Sequence, residues 1–578
     1  MPRPTLCVIT CAVLIGNLAR LAAAAGSEQL TVATSGGRSD AWTNRRYDRA
    51  DLWMYELIRR PGTPPISKLP SQVSNPIDAF IQQAQRARGI TLSATPADRV
   101  TLLRRATLDL TGLPPTPEGI VAFIGDRSPR AFERAVDRLL ASPRYGERYA
   151  QHWLDVVRYA DTSGFSNDFE RPNAWRYRDY VARSLNSDKP FDQIVVEQLA
   201  GDELRANDSE GLIATGFLRT GPWEHTGMSV AAVTRQAFLD DVTNNVGTVF
   251  LAQPLRCARC HDHKFDPIPT RDYYRIQAVF APTQFAERSV AFMPSENAES
   301  AAFLAARAAA ERRLAEARAT QAALNQKGDD AIVAELRRRG VARLVDLPES
   351  DRPKRGFFGL SELERSVKKV YEKRIAYFER EAQRFEPLAF TVYNGASNNY
   401  TSLRAVNAVP ARRDGAIEPV NVLLGGGLES PAERVGPGVL SVNLVARSFR
   451  SDPSEAMPET IDGRRLALAR WIASPQNPLT ARVIVNRVWQ WHFGKGLVAT
   501  SNNFGKMGKR PTHPELLDWL ATWFVDNQCA AAAPNHGLGG AGVSAVGNAS
   551  ATQSAHALRF PRADAQRPAA RRLQPSGH

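Results

Sequence analysis

The chain repeatedly places a small polar residue directly before a proline. Asn75-Pro76, Thr95-Pro96, Thr116-Pro117, Ser128-Pro129 and Ser142-Pro143 all have this form. Such a pair starts a helix: the polar side chain accepts a first-turn N–H, and proline has a suitable φ and no N–H to leave unpaired. Behind these starts the apolar residues recur at helical spacing. Ile77, Phe80, Ile81 and Ala84 make one face, and Val100, Leu102, Leu103 and Ala106 a second. Phe132, Val136, Leu139 and Leu140 make a third, and Tyr149, His152, Trp153, Val156 and Tyr159 a fourth. Leu113-Pro114-Pro115 interrupts the series. Residues 76–285 therefore read as an all-helical domain.

The rest divides by composition. Residues 1–25 have the form of an export signal: Arg3, an apolar run from Leu6 to Ile15, and small residues suited to cleavage near Ala25. That run is too short to span a bilayer comfortably, and no later segment is apolar enough to do so. The mature protein is thus expected in the periplasm or cell envelope, not membrane-spanning once the signal is removed. Residues 26–75 form a flexible, then Pro-rich lead-in, with Trp53 and Tyr55 anchoring it onto the next domain. Residues 300–385, rich in Ala, Arg and Glu, predict two long helices, a hairpin arm around a loop at 340–358. Residues 386–458 contain strands at Phe390–Tyr393 and Val420–Leu424, then a turn at Gly425–Gly427 that lacks the spacing of a phosphate loop. A second helical domain follows at 459–526, its last helix opening at His513-Pro514. From 527 to 578 the chain is Ala, Gly, Ser and Pro with scattered Arg, a composition that cannot bury enough surface to order itself. The predicted fold class is mainly α: a multi-helix domain, a helical hairpin insertion, a small β-containing segment and a second helical domain.

Lys and Arg number 74 against 60 Asp and Glu, a formal charge of +14. The arginines are spread along the whole chain, with no dense basic run and no base-stacking module, so nucleic acid is not the expected partner. Of five cysteines, Cys7 and Cys11 lie in the export signal and Cys529 in the tail. A single close pair, Cys257 and Cys260, remains in the body, too few for a disulfide scaffold.

That pair carries the chemistry. Residues 257–261 read Cys-Ala-Arg-Cys-His, the C-x-x-C-H signature of covalent haem attachment. Two thiols three positions apart can each form a thioether with one vinyl group of a haem, and His261 follows as an axial ligand to iron. The alternative is zinc, held by Cys257, Cys260, His261 and His263; a histidine directly after the second cysteine would have to fold back on its own turn. A dithiol–disulfide pair would need no histidine. Haem is the favoured reading. A second axial ligand is not readable, with His225, Met228, His263, His152 and His492 all open. Asp262, Asp266 and Arg259 could surround the site.

Other clusters invite a catalytic reading. His152, Asp155, Arg158 and Asp161 lie along one helix and its end, with Arg176 on the next. A buried network holding helices in register is the stronger reading of them. Asp240, Asp241, Asn244 and Asn245 precede the cysteines without calcium-loop spacing. Arg482, Asn486, Arg487, Gln490 and His492 read as one packed helix.

Several long strings are familiar. RRATLDLTGLPPTP (104–117), ERYAQHWLDVVRYADTSGF (147–165), RPNAWRYRDYV (171–181), FDQIVVEQLAGDEL (191–204) and CARCHDHKFDPIPTRDYYRI (257–276) resemble the planctomycete cytochrome-c-like family, which pairs two domains of unknown function. Residues 468–521 resemble its second domain. The resemblance implies export, a haem-type motif at Cys257, Cys260 and His261, and sulfatase-like neighbours. It implies no settled reaction. Family members often carry a separate N-terminal cytochrome c domain with its own motif, and this chain has none. Their second domain usually continues beyond a segment like 513–526, so a truncated form is expected here. The expectation is an exported haem c protein with an electron-transfer or redox role and a redox partner protein. The alternative is an interaction module of a polysaccharide-processing, sulfatase-associated system whose C-x-x-C-H holds zinc.

Overall fold

Helix starts dominate the computed structural model, which describes residues 29–32, 45–65, 75–90, 97–165, 168–224, 230–354, 356–395, 417–442 and 457–528. The segment expected to be an export signal, nearly all of the tail, Thr95-Pro96, His225 and Met228 lie outside these residues. Strand β1 (Gln29–Val32) pairs antiparallel with β2 (Arg45–Asp48), and a helical turn at Arg49–Tyr55 follows. Then come α1 (Pro76–Ala87), α2 (Arg99–Thr111), α3 (Pro117–Gly125), α4 (Ala131–Leu140) and α5 (Pro143–Val156). Asn75, Thr116 and Ser142 each accept a first-turn N–H, as their place before proline predicts. Two starts differ. Asp98, which accepts from Thr101 N, caps α2, and α4 begins past Ser128-Pro129 because Ser128 N is held by Asp126 in a turn.

The first helical region continues with α6 (Ala174–Asn186), α7 (Phe191–Leu204), α8 (Ser209–Ala214), α9 (Ala231–Leu251) and α10 (Thr270–Phe280). It does not end in helix: Thr283–Ser289 forms strand β3. The arm is α11 (Ala301–Arg338) and α12 (Glu362–Gln383), antiparallel, with Arg318 reaching Glu379 near one end and Lys327 reaching Glu364 near the other. A capping box of Ser361 and Glu364 starts α12. Strand β4 (Leu388–Asn394) pairs in full register with β3, closing the arm at its root, and does not join the later strands. Strand β5 (Val420–Leu423) pairs instead with β6 (Pro431–Val435) across the glycine turn. Helices α13 (Arg464–Ala473), α14 (Thr480–Phe493) and α15 (Pro514–Gln528) complete the described chain.

One large core runs through both helical regions, from Leu52 through Trp153, Phe250 and Tyr273 to Ile484 and Phe524. Smaller clusters around Leu103 and Tyr145 sit under α2 to α5. Trp53 anchors the lead-in, but onto the later region: its ring stacks on Phe504 at 5.7 Å, and Arg482 Nη1 donates to Glu56 O at 2.8 Å. No helix among the described residues is long and apolar enough to cross a membrane.

Candidate functional site

The C-x-x-C-H segment lies between α9 and α10. Helix α9 ends at Ala252, a non-glycine residue at φ 48°, and the chain enters a helical turn at Leu255–Arg259. Leu255 and Ala258 are buried and root this turn, while Cys257, Cys260 and His261 are exposed. Both thiols are free. All three sequence-predicted groups therefore share one outward-facing turn.

Each neighbour is fixed. His261 Nδ1 lies 2.7 Å from Asp262 O, which can only accept, so Nδ1 is the nitrogen that donates and Nε2 is left to face outward. Asp262 is buried and accepts from Thr270 N at 2.8 Å, tying the loop to the start of α10. His263 turns inward, where its Nδ1 accepts from Asp266 N at 2.9 Å. Burial pushes the His263 imidazole below and the Asp266 carboxyl above their usual ranges. Among the described residues no three His, Cys, Asp or Glu side chains gather as they would around a metal ion, so Cys257, Cys260, His261 and His263 do not form a ready tetrahedral set.

Arg259 sits between the cysteines. Its guanidinium pairs with Asp240 Oδ2 at 2.9 Å and donates to Gly426 O at 3.0 Å. Asp240 Oδ1 also accepts from Tyr273 Oη at 2.6 Å and from Gln236 and Gln277, while Tyr274 Oη donates to Arg259 O at 2.9 Å. Burial nevertheless raises the Asp240 carboxyl above its usual range. Gly426, at φ 75°, lies against Cys260: an added Cβ would come within 2.7 Å of its Sγ. Asn244 accepts from Arg256 N at 3.1 Å, and Asp241 holds Arg158 through both carboxylate oxygens, so Asp240, Asp241 and Asn244 are spent on structure.

The structure separates the other catalytic candidates. Arg176 is fully buried, bidentate to Glu296 at 2.8 and 2.9 Å, and bonded to Val290 O and Ala291 O. It holds the strand root of the arm, and these bonds go to none of His152, Asp155, Arg158 or Asp161. Asp155 is exposed, Arg158 has left the helix at φ 61°, and Asp161 accepts from Tyr159 Oη at 2.7 Å. His152 stacks on Trp491 at 5.4 Å, and burial, with Arg148, holds it below its ordinary value. His492 pairs with Asp109 at 2.7 Å and approaches Tyr149 Oη at 3.1 Å, a polar seam between α2, α5 and α14. These rings sit beside an apolar cleft lined by Tyr145, Trp153, Phe191 and Ile484, which does not include the cysteine turn.

Residues 76–285 match the model of PSCyt2, a protein of unknown function (DUF1549), and residues 464–532 match that of PSD1, a protein of unknown function (DUF1553). The first match contains the whole C-x-x-C-H turn. No curated protein and no solved structure matches the chain.

Proposed function

From a chain that carries the paired planctomycete domains, PSCyt2 followed by PSD1, we propose an exported redox protein. It holds one c-type haem through thioethers to Cys257 and Cys260, with His261 as an axial ligand. The observation that supports this reading most is the shared exposure of the two free thiols and His261 on one short turn. Thioether formation needs both sulfurs accessible from the same side. An axial imidazole needs its lone pair on the outer nitrogen, and the bond from Nδ1 to Asp262 O favours that tautomer. Gly426 adds to the fit, because any side chain there would crowd Cys260 Sγ.

When bound, the haem would supply one-electron chemistry. The chain's own residues orient and shield. Asp240 and Tyr274 hold Arg259, which places a cation beside the thiols, and Asp262 holds the histidine's backbone to α10. A redox partner protein is part of this proposal. Its test is a pyridine haemochrome spectrum of protein exported from a host with c-type maturation, beside a Cys257→Ala/Cys260→Ala variant. The expected result is an α band that survives acid–acetone extraction and is absent from the variant. A colourless wild type, or pigment removed by extraction, would overturn the proposal.

A further inference from the structure

The carbonyls that close α9 find their donors in a remote part of the chain. Ala252 in the left-handed conformation ends the helix, and the N–H groups of Ala252 and Gln253 both turn back to Gly247 O. The Thr248 and Val249 carbonyls thereby lose their helical donors, an ordinary consequence of a helix end. Arg487 of α14 takes both: Nη2 donates to Thr248 O at 2.8 Å and Nη1 to Val249 O. The third carbonyl, Ala252 O, accepts from Phe504 N at 2.9 Å. On the far side of the cysteine turn, Asp266 Oδ1 accepts from Lys506 N at 2.7 Å. Phe504 and Lys506, one residue apart, thus pin both ends of the segment that bears Cys257, Cys260 and His261.

The residue between them fits the same purpose. A Cβ on Gly505 would strike the Asp266 carboxylate, so glycine is what lets the backbone come close enough to donate. Arg487 has no carboxylate partner in the bonds it makes. A buried guanidinium facing only carbonyls and Asn502 Oδ1 is drawn down to about 9, and its place at the negative end of α9 offsets part of that cost.

We propose that Phe504-Gly505-Lys506, with Arg487, is a staple by which the PSD1 segment positions the C-x-x-C-H turn of the PSCyt2 segment. They are positioning residues, and they give the pairing of the two domains a physical purpose: the first supplies the thiols and histidine, and the second closes the loop that presents them. The staple rests on the haem reading only for its functional meaning, since the loop closure exists without the cofactor.

The test is hydrogen exchange on the haem-free full chain, followed by redox titration of the loaded protein. Lys506→Pro removes the N–H given to Asp266, whereas Lys506→Ala keeps it and loses only the side chain, which pairs with Asp51 at 3.0 Å. The expected result is exchange at least tenfold faster at Asp266 and Ile268 in Lys506→Pro, unchanged in Lys506→Ala, with α1 to α6 unaltered in both. In the loaded protein the midpoint potential should move in Lys506→Pro alone. Should Lys506→Pro fail to fold, wild-type exchange still decides: a staple requires the amides of Phe504, Lys506, Asp266 and Ile268 to open together. Independent opening of these amides, or unchanged exchange in a folded Lys506→Pro, would overturn the staple. Absence of haem with co-protection intact would overturn the haem reading and leave the staple standing.

Discussion

A contiguous motif is legible in a sequence because neighbours along the chain are neighbours in space. Cys257, Cys260 and His261 needed no tertiary knowledge, and Asp262, Asp266 and Arg259 were within reach as their companions. The residues that hold them were not legible. Asp240, Tyr274 and Gly426 reach Arg259 and Cys260 through packing of α9, α10 and the β5–β6 hairpin. Phe504 and Lys506 act through backbone N–H groups, which leave no side-chain signature. His152 shows how environment alters a residue whose identity says little. Burial and Arg148 hold its imidazole below the ordinary 6.5, against the opposing pull of Asp155 and Asp109. The unfolded state therefore binds more protons below that value. The stability from keeping His152 neutral is complete above pH 6.5 and is lost as pH falls through it. Urea midpoints at about pH 7.5 and about pH 5.5 should fall further in wild type than in His152→Gln; equal falls would contradict the assignment.

At the scale of elements, helices were readable from cap, proline and apolar period, all local signals. The strand pairings were not. Thr283–Ser289 follows the helix after only Ala281-Pro282 and pairs with a strand on the far side of the α11–α12 arm, so nothing local gives its partner. Buried charge was also hidden. Arg465 on α13 is fully buried, bidentate to Asp202 of α7 at 2.7 and 2.8 Å, and bonded to Asn394 of β4. In sequence it is one more arginine in an arginine-rich chain. Arg465→Met would leave Asp202 and Glu203 without their cation inside the molecule, and removing one partner of such a pair costs about 3–5 kcal/mol. Urea denaturation should show a loss of that order. A loss no larger than that of an exposed pair, roughly 0–1 kcal/mol, would mean that water reaches the two acids.

Over the whole molecule, the two matched segments share one core. Arg487 of α14 and the backbone N–H groups of Phe504 and Lys506 bond to the chain on either side of the cysteine turn, and Trp53 of the lead-in stacks on Phe504. The sequence suggested two helical domains in tandem, because apolar period says which faces are buried and not which faces meet. The two ends of the turn are held by these contacts, and its outer face carries the thiols. Intact-mass and peptide-mass measurement on protein exported through a c-type maturation pathway tests that outer face most directly. The account predicts a mass increase of one haem, confined to the peptide containing Cys257 and Cys260. An unmodified mass, or a haem carried on any other peptide, would contradict it.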